Sequence, residues 1–392
     1  MSQAAYFLEP LDVLVLRGNK LFGDAGSVGE SLVPPWPSVA AGALRSHLLA
    51  CDRVDLQRYA RGDQPHPALG TPAQPGPFTL TAFHLARRMA NGRVEPLFAP
   101  PADLVLSPGE ESLGEARNDG DRRCPPKASR MLPQALGHGI AVSCPLPKAP
   151  VLAQAQRIKP EGGWWLSASG WRAYLAGSPI PESAWVEQAR LWKTELRVGV
   201  GLDASRGAAE DHRLFSSQAV AMTPGVGFLA AVTGATLPAP AVVRFGGDGH
   251  PATLTAADAE WPIPDYDHIA RAGRCRMVLT TPGLFPQGWL PTGSGTPDAT
   301  RGAAFELHGI RGRIVCSAVP RSEVVSGWNL ATQQPRPAQR VAPAGSVYWL
   351  ELEPGTTAEA LAKLADQGLW SSPCEDDERR VQGFNRFCFA VY

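Results

Sequence analysis

Apolar residues along this chain come in short runs that alternate with polar ones, and turn residues interrupt each run. Ala5 to Arg17 reads as a first strand, with Leu14 and Leu16 apolar and Arg17 closing it. A Gly- and Pro-rich loop from Gly18 to Pro37 follows. Ser38 then stands as the N-cap of a helix from Val39 to Cys51, with Ala40, Leu44, Leu48 and Leu49 inward. Residues 61–78 read as an insertion. Thr79–Met89 and Arg93–Phe98 form a strand pair around Ala90-Asn91-Gly92, where Asn-Gly favours a tight hairpin turn. Residues 107–126 are charged and loop-like. Short helices are predicted over Trp164–Ala176 and Ser183–Trp192, and a strand over Glu195–Leu202.

The second half repeats this logic. Strands are predicted at Val242–Phe245, Cys275–Thr281, Ala303–Leu307, Gly312–Val319 and Val347–Leu352. A helix capped by Thr357 runs to Ala365, and a last strand covers Phe384–Tyr392. An opening strand–loop–helix and a closing strand–helix–strand are the two ends of βαββαβ units. The simplest fold class is therefore α+β, with two ferredoxin-like (RRM-like) domains bearing long loop insertions. Their expected extents are residues 1–215 and 216–392.

Composition agrees with a folded protein but changes the functional picture. Hydrophobic residues make up 44% and charged residues 19% of the 392, while 40 glycines and 38 prolines break up long helices. Lys+Arg and Asp+Glu are both 37, with a pI near 7.1, so a chain that grips RNA unaided is disfavoured relative to a subunit presenting a local basic path. The 7 cysteines are odd in number and never spaced as CxxC, which suggests neither a disulfide framework nor a zinc ribbon. No cofactor or metal is expected. The opening MSQAAYFLEPLD has no basic and apolar signal-peptide regions, and Pro238 and Pro240 interrupt the most apolar stretch, Val226–Val243. A soluble, cytoplasmic protein is expected.

Catalytic signatures are missing: no G-x-S-x-G, H-E-x-x-H or phosphate-loop motif occurs. Gly246-Gly247-Asp248-Gly249 resembles the GGDD of nucleotide cyclases but lacks its second acid, and a hairpin turn explains it better. His47 and His212 offer themselves as general acid–base groups, against the plainer reading of helix and loop histidines. The acidic run Glu375–Glu378 reads as a solvated loop. RNA binding has more support, since glycine-rich turns beside Arg or Lys hold phosphates and aromatic or guanidinium planes stack bases. Three segments combine these features: Arg17-Gly18-Asn19-Lys20, Arg244-Phe245-Gly246-Gly247 and Gln382-Gly383-Phe384-Asn385-Arg386. Trp36, Trp328 and the arginines Arg45, Arg311, Arg313, Arg336 and Arg340 join them as candidates; core packing and solvated charge remain the alternatives for each.

Blocks over nearly the whole chain carry a family resemblance. FLEPLDVLVLRGNKLFG (7–23), SLVPPWPSVAAGALRSHLLA (31–50), LRVGVGLDASRGAAEDHRLFSSQAVAM (196–222), VRFGGDGHPATL (243–254), SGWNLATQQPRPAQRVAPAGSVYWLEL (326–352) and QGFNRF (382–387) stand in the expected order. Together they resemble the third subunit of the Cmr complex, a RAMP protein of type III-B CRISPR–Cas effectors in antiviral defence. The resemblance implies a non-catalytic subunit that binds the repeat-derived 5′ tag of the CRISPR RNA (crRNA). Its implied partners are the large polymerase/cyclase-type subunit, the adjacent backbone RAMP subunit and the 3′ flank of target RNA. The implied RNA-contacting residues are Arg17, Asn19, Lys20, Arg45, Arg244, Gly246, Gly247, Trp328, Asn329, Arg336, Gly383, Phe384, Asn385 and Arg386. Two alternatives stand beside it: a Cas6-like crRNA-processing endoribonuclease using His47 or His212, and the tag-binding subunit of a type III-A or III-D effector.

Overall fold

A computed structural model describes residues 3–18, 28–109, 123–137, 140, 142–154, 159–203, 205–329 and 334–392. The first half builds β1 (Ala4–Pro10), α1 (Pro37–Cys51), α2 (Leu56–Arg61), β2 (Thr79–Arg88) and β3 (Val94–Leu97). A long insertion holding α3 (Ala168–Leu175) comes next, then a ribbon of β4 (Trp192–Asp203) and β5 (Ala208–Met222). β6 (Val226–Thr233), β7 (Ala241–Arg244) and β8 (Pro251–Ala256) complete a six-stranded antiparallel sheet in the order β7-β8-β1-β6-β2-β3. The division expected after residue 215 thus falls inside β5, and strands as far as Ala256 pair within the first sheet.

Local chemistry explains these elements. Asn91-Gly92 closes the β2–β3 hairpin with Gly92 at φ +82°, a conformation that costs glycine little. The first strand is shorter than its hydrophobic run. It ends at Pro10, and Leu14, Val15 and Arg17 make isolated bridges to Val220, Gly247 and Ser31. α1 starts one residue before the expected Ser38 cap. Proline at a first-turn position needs no N–H partner, and no side chain caps the end. Ala40, Ala41, Leu44 and Leu48 bury against Tyr6, Leu8 and Phe228, each leucine contributing about 1.5–3 kcal/mol.

The second half builds α4 (Tyr266–Ala272), β9 (Arg274–Leu279), β10 (Ala303–Leu307), β11 (Ile310–Ala318), β12 (Val347–Leu352), α5 (Ala358–Gln367), α6 (Asp377–Val381) and β13 (Phe387–Val391). These strands form a five-stranded antiparallel sheet ordered β10-β11-β12-β9-β13. Thr357 caps α5 as expected, accepting from the Ala360 N–H. Leu361 and Leu364 pack on Met277 and Phe389 at one face.

The insertion from the first half covers the other face. Trp164, Trp171, Tyr174 and Trp185 pack on Val278, Val315 and Trp349, which is why β12 is apolar on both sides. Here the predicted helices need correction. Trp164–Leu166 is a strand paired with Trp185–Glu187, the helix spans only Ala168–Leu175, and Glu182–Ala184 and Gln188–Arg190 are single 3₁₀ turns. Consecutive buried residues at 164–166 suit a strand enclosed on both faces, and Ser167 caps the short helix by accepting from Gly170 N–H. Arg276 on β9 fastens the insertion to the sheet. Its guanidinium meets Asp103 at 2.6 Å and donates to the carbonyls of Tyr174 and Val391, while Tyr174 Oη donates to Asp103 at 2.8 Å.

Candidate nucleic-acid interface

The C-terminal glycine-rich segment is built into the interior. Asn385, at φ +58°, receives Leu284 N–H on its side-chain oxygen and donates to the carbonyls of Leu284 and Leu369. Phe384 is buried and its carbonyl accepts from the Trp370 indole N–H at 3.1 Å. Arg386 donates to the Asp366 carbonyl at 2.6 Å, and burial pulls its guanidinium down to about 10. The backbone N–H groups of Gly383, Phe384 and Asn385 already donate to Arg380, Arg379 and Pro282 carbonyls. Gly383, at φ +87°, lies so close to β2 that a Cβ would meet the Leu80 carbonyl oxygen at 2.8 Å. Glycine here serves contact between the two sheets. As a correction to the sequence reading, these N–H groups and side chains are withdrawn from solvent; a buried polar group must find its partners inside.

The second glycine-rich segment is the β7–β8 turn. Gly246 takes φ +82° and Gly247 N–H donates to the Val15 carbonyl at 2.7 Å, so both glycines allow the turn to lie on the bridge segment. Arg17 is exposed there, 3.8 Å from Asp248, and Arg244 is exposed on β7. Asn19 and Lys20 lie outside the described residues. The turn neighbours the base of the β4–β5 ribbon, where Leu14 bridges Val220 and Ser31 bonds to Gln218.

A second assembly gathers residues far apart in sequence. An arm rises between β11 and β12: Glu323–Val325 pairs with Gln339–Val341, and Trp328–Asn329 pairs with Gln334–Pro335. Trp328 is 54% exposed on it, against the usual tendency to bury indole. Arg336 N–H donates to the Gly327 carbonyl, and its guanidinium reaches Glu378 of α6 at 2.7 Å. Arg379 is only 4% exposed; it donates to Gln339 and Gln382 and lies 5.1 Å over the Phe384 ring. Burial alone raises the Glu378 carboxyl. The bond from Arg336 and the charges of Arg336, Arg45 and Arg379 outweigh it and leave that carboxyl below its usual range. Burial, then repulsion from Arg336, lowers Arg379. Arg45 on α1 acts on Glu378 through charge, while its guanidinium donates to Tyr59 Oη at 3.4 Å. Trp36, just before α1, packs against Val325, Trp370 and Phe384 beside this cluster.

Sequence reasoning missed Arg379 because it follows a run of acids. That run is not a solvated loop: Asp376 caps α6 by accepting from Arg379 N–H, Asp377 pairs with Arg380 at 2.8 Å, and Glu378 holds Arg336. Among the described residues no group of three or more His, Cys, Asp or Glu is placed to hold a metal ion.

His47 and His66 are engaged within the protein. His47 Nε2 lies 2.7 Å from the Pro238 carbonyl, and a carbonyl partner makes that nitrogen the donor. The His212 side chain lies outside the described residues. A carboxylate–histidine pair does exist, Asp52 with His66 at 2.7 Å. There Nδ1 accepts the N–H groups of Ala68 and Leu69, leaving no ring nitrogen free for a substrate. Arg340 lines a cavity of about 470 Å³ with Trp289, Cys144 and Ser317. No helix among the described residues is long and apolar enough to cross a membrane.

These features define a mixed α/β protein built on two main antiparallel sheets, with an exposed tryptophan on the arm between β11 and β12. The chain belongs to the CRISPR-associated protein family Cas_Cmr3, whose family model matches residues 6–389. This bears out the resemblance read from the sequence blocks. Among solved structures, the chain is similar to one from a cryo-EM structure of the Type III-B Cmr-beta bound to cognate target RNA and AMPPnP (state 1). Identity is 12% over 98% of this chain and 95% of that one, with a TM-score of 0.46. A chain of the Type III-B Cmr-beta bound to cognate target RNA is similar at 12% identity over 98% and 96%, also with a TM-score of 0.46. No curated protein gives a significant match.

Proposed function

We propose that the chain is a non-catalytic, cytoplasmic subunit of a type III-B CRISPR–Cas effector that binds the 5′ repeat-derived tag of the crRNA. It docks on the large polymerase/cyclase-type subunit and on the adjacent backbone RAMP subunit, close to the 3′ flank of target RNA. Family membership supports the setting. The observation that carries RNA binding is the exposed Trp328 on an arm whose Arg336 stands in a cluster with Arg45 and Arg379. Stacking planes beside cations suit splayed single-stranded bases and their phosphates. Arg17 and Arg244 form a second contact at the ribbon base, and Asn19 and Lys20, which follow Arg17 in sequence, add to it as candidates. Asn329 adds polar reach on the arm.

The strand orders support a paired ferredoxin-like fold. β2-β6-β1-β8 and β11-β12-β9-β13 are each antiparallel in the order second, third, first, fourth. The first unit has its helix between first and second strands (α1), the second between third and fourth (α5). The division between units then falls between Ala256 and Tyr266.

Crosslinking of tagged crRNA in the assembled complex, read by mass spectrometry, tests the reading. Adducts are expected on the arm and on the 14–20 segment; tag RNA that crosslinks only to other subunits overturns it. The purified chain is expected to leave precursor repeat RNA intact in metal-free buffer, whereas cleavage at one position would establish the endoribonuclease alternative.

A further inference from the structure

The cluster around Glu378 is unbalanced in charge. Arg336, Arg379 and Arg45 converge from the arm, α6 and α1, yet Glu378 is the carboxylate among the described residues that ion-pairs within the cluster. Asp376 is turned to the Arg379 backbone N–H, and Asp377 to Arg380. Arg379 donates its guanidinium hydrogen bonds to the neutral amides of Gln339 and Gln382, while the Asp376 and Glu378 carboxylates act on it through charge alone. Glu378 itself is bound as a small anion would be. Oε2 faces Arg336 Nη1 at 2.7 Å and Oε1 accepts from Gln382 Nε2 at 3.2 Å. The two non-bridging oxygens of a phosphodiester call for the same pair of donors. Arg336 and Glu378 are both partly open to solvent, so a polyanion can reach the site without unfolding anything.

Resting on the reading of this arm as an RNA-binding element, we propose that Glu378 is an internal competitor for the RNA. Its carboxylate holds Arg336 and Gln382 in the free protein, and a crRNA phosphodiester replaces it when the RNA seats. The exchange leaves a phosphate shared between Arg336 of the arm and Gln382 beside α6, so that seating the RNA also tightens the arm against α6. A phosphate gains here because the three guanidinium groups outnumber the two carboxylates, Glu378 and Asp376, that act on them, and binding RNA releases counterions from the phosphate chain.

The test is the affinity of the full-length chain, with its partner subunits, for fluorescent tagged crRNA by anisotropy. Glu378→Gln is expected to bind about two- to fivefold tighter than wild type at about 0.15 M salt. The gain should shrink at about 0.5 M salt and vanish in the double variant with Arg336→Ala. Should Glu378→Gln fail to fold, Glu378→Asp, which draws the charge back by one methylene, is expected to shift affinity the same way. Equal or weaker binding by folded variants while the arm still crosslinks to crRNA overturns the competitor role alone. Absence of arm crosslinks in the wild-type complex instead removes the RNA-binding reading on which it rests.

Discussion

Gly383 has no room for a side chain: its φ is +87° and the Leu80 carbonyl lies where a methyl group would press. Gly383→Ala is therefore expected to destabilise the protein by about 1–3 kcal/mol, from backbone strain plus the clash, read as a lower urea midpoint. RNA affinity per folded molecule should change little, because the loop's N–H groups are already bonded within the protein. His84 makes a second prediction at this scale. It sits tilted between the rings of Phe98 and Trp261, and burial pulls its ring down to about 4 from an ordinary 6.5. Above pH 6.5 the ring is neutral whether folded or unfolded. As pH falls from 6.5 towards 4, the unfolded chain takes up a proton that the folded one refuses, so stability is lost, by about 3 kcal/mol at pH 4. Urea midpoints measured across this window should fall more steeply for wild type than for His84→Phe; equal slopes would refute the assignment.

Among the elements, the arm and the ribbon stand out because their bases pack into core clusters while their outer parts stay exposed. On the arm, two short strand pairs hold Trp328 out and turn Arg336 back. Trp328→Ala is expected to weaken crRNA binding by about 1–3 kcal/mol, the usual size of one base–aromatic stack, with an unchanged melting temperature. A fall in melting temperature with unaltered affinity would mark Trp328 as a packing residue. On the ribbon, Leu196, Val198, Val200 and Leu214 are exposed, and the register places Val198 opposite Ser216 and Val200 opposite Leu214. Alternation made the strand visible in sequence but implied one buried face. Nothing in a local pattern tells a ribbon packed on a core from one that projects from it.

At the scale of the molecule, the insertion from the first half forms one wall of the second half's core, and the Asp103–Arg276 pair lies fully buried in that wall. Asp103→Ala leaves a guanidinium desolvated without its anion. It is expected to cost about 3–5 kcal/mol, measured by chemical denaturation, while Asp103→Asn, which preserves the Tyr174 contact, should cost less. Equal small losses in both variants would show that the pair adds no net stability.

Much of this protein was legible locally. The β2–β3 hairpin followed from Asn91-Gly92, α5 from Thr357 and its apolar stripe, and β13 from the alternation of Phe387, Phe389 and Val391, because turn geometry, capping and periodicity act within a few residues. The glycine-rich segments were also visible, but their purpose was not. A glycine chosen for close approach to Leu80 or Val15 reads the same as one chosen for close approach to a phosphate. The sequence by itself therefore determined the family, most of the strands and the residue types offered to RNA. Only the tertiary structure decided which of them face solvent. It turned Phe384, Asn385 and Arg386 inward, left Trp328 outside, and brought Arg45, Arg336 and Arg379 around Glu378. The physical reason is that burial and charge pairing are set by contacts between residues hundreds of positions apart, which no local pattern encodes.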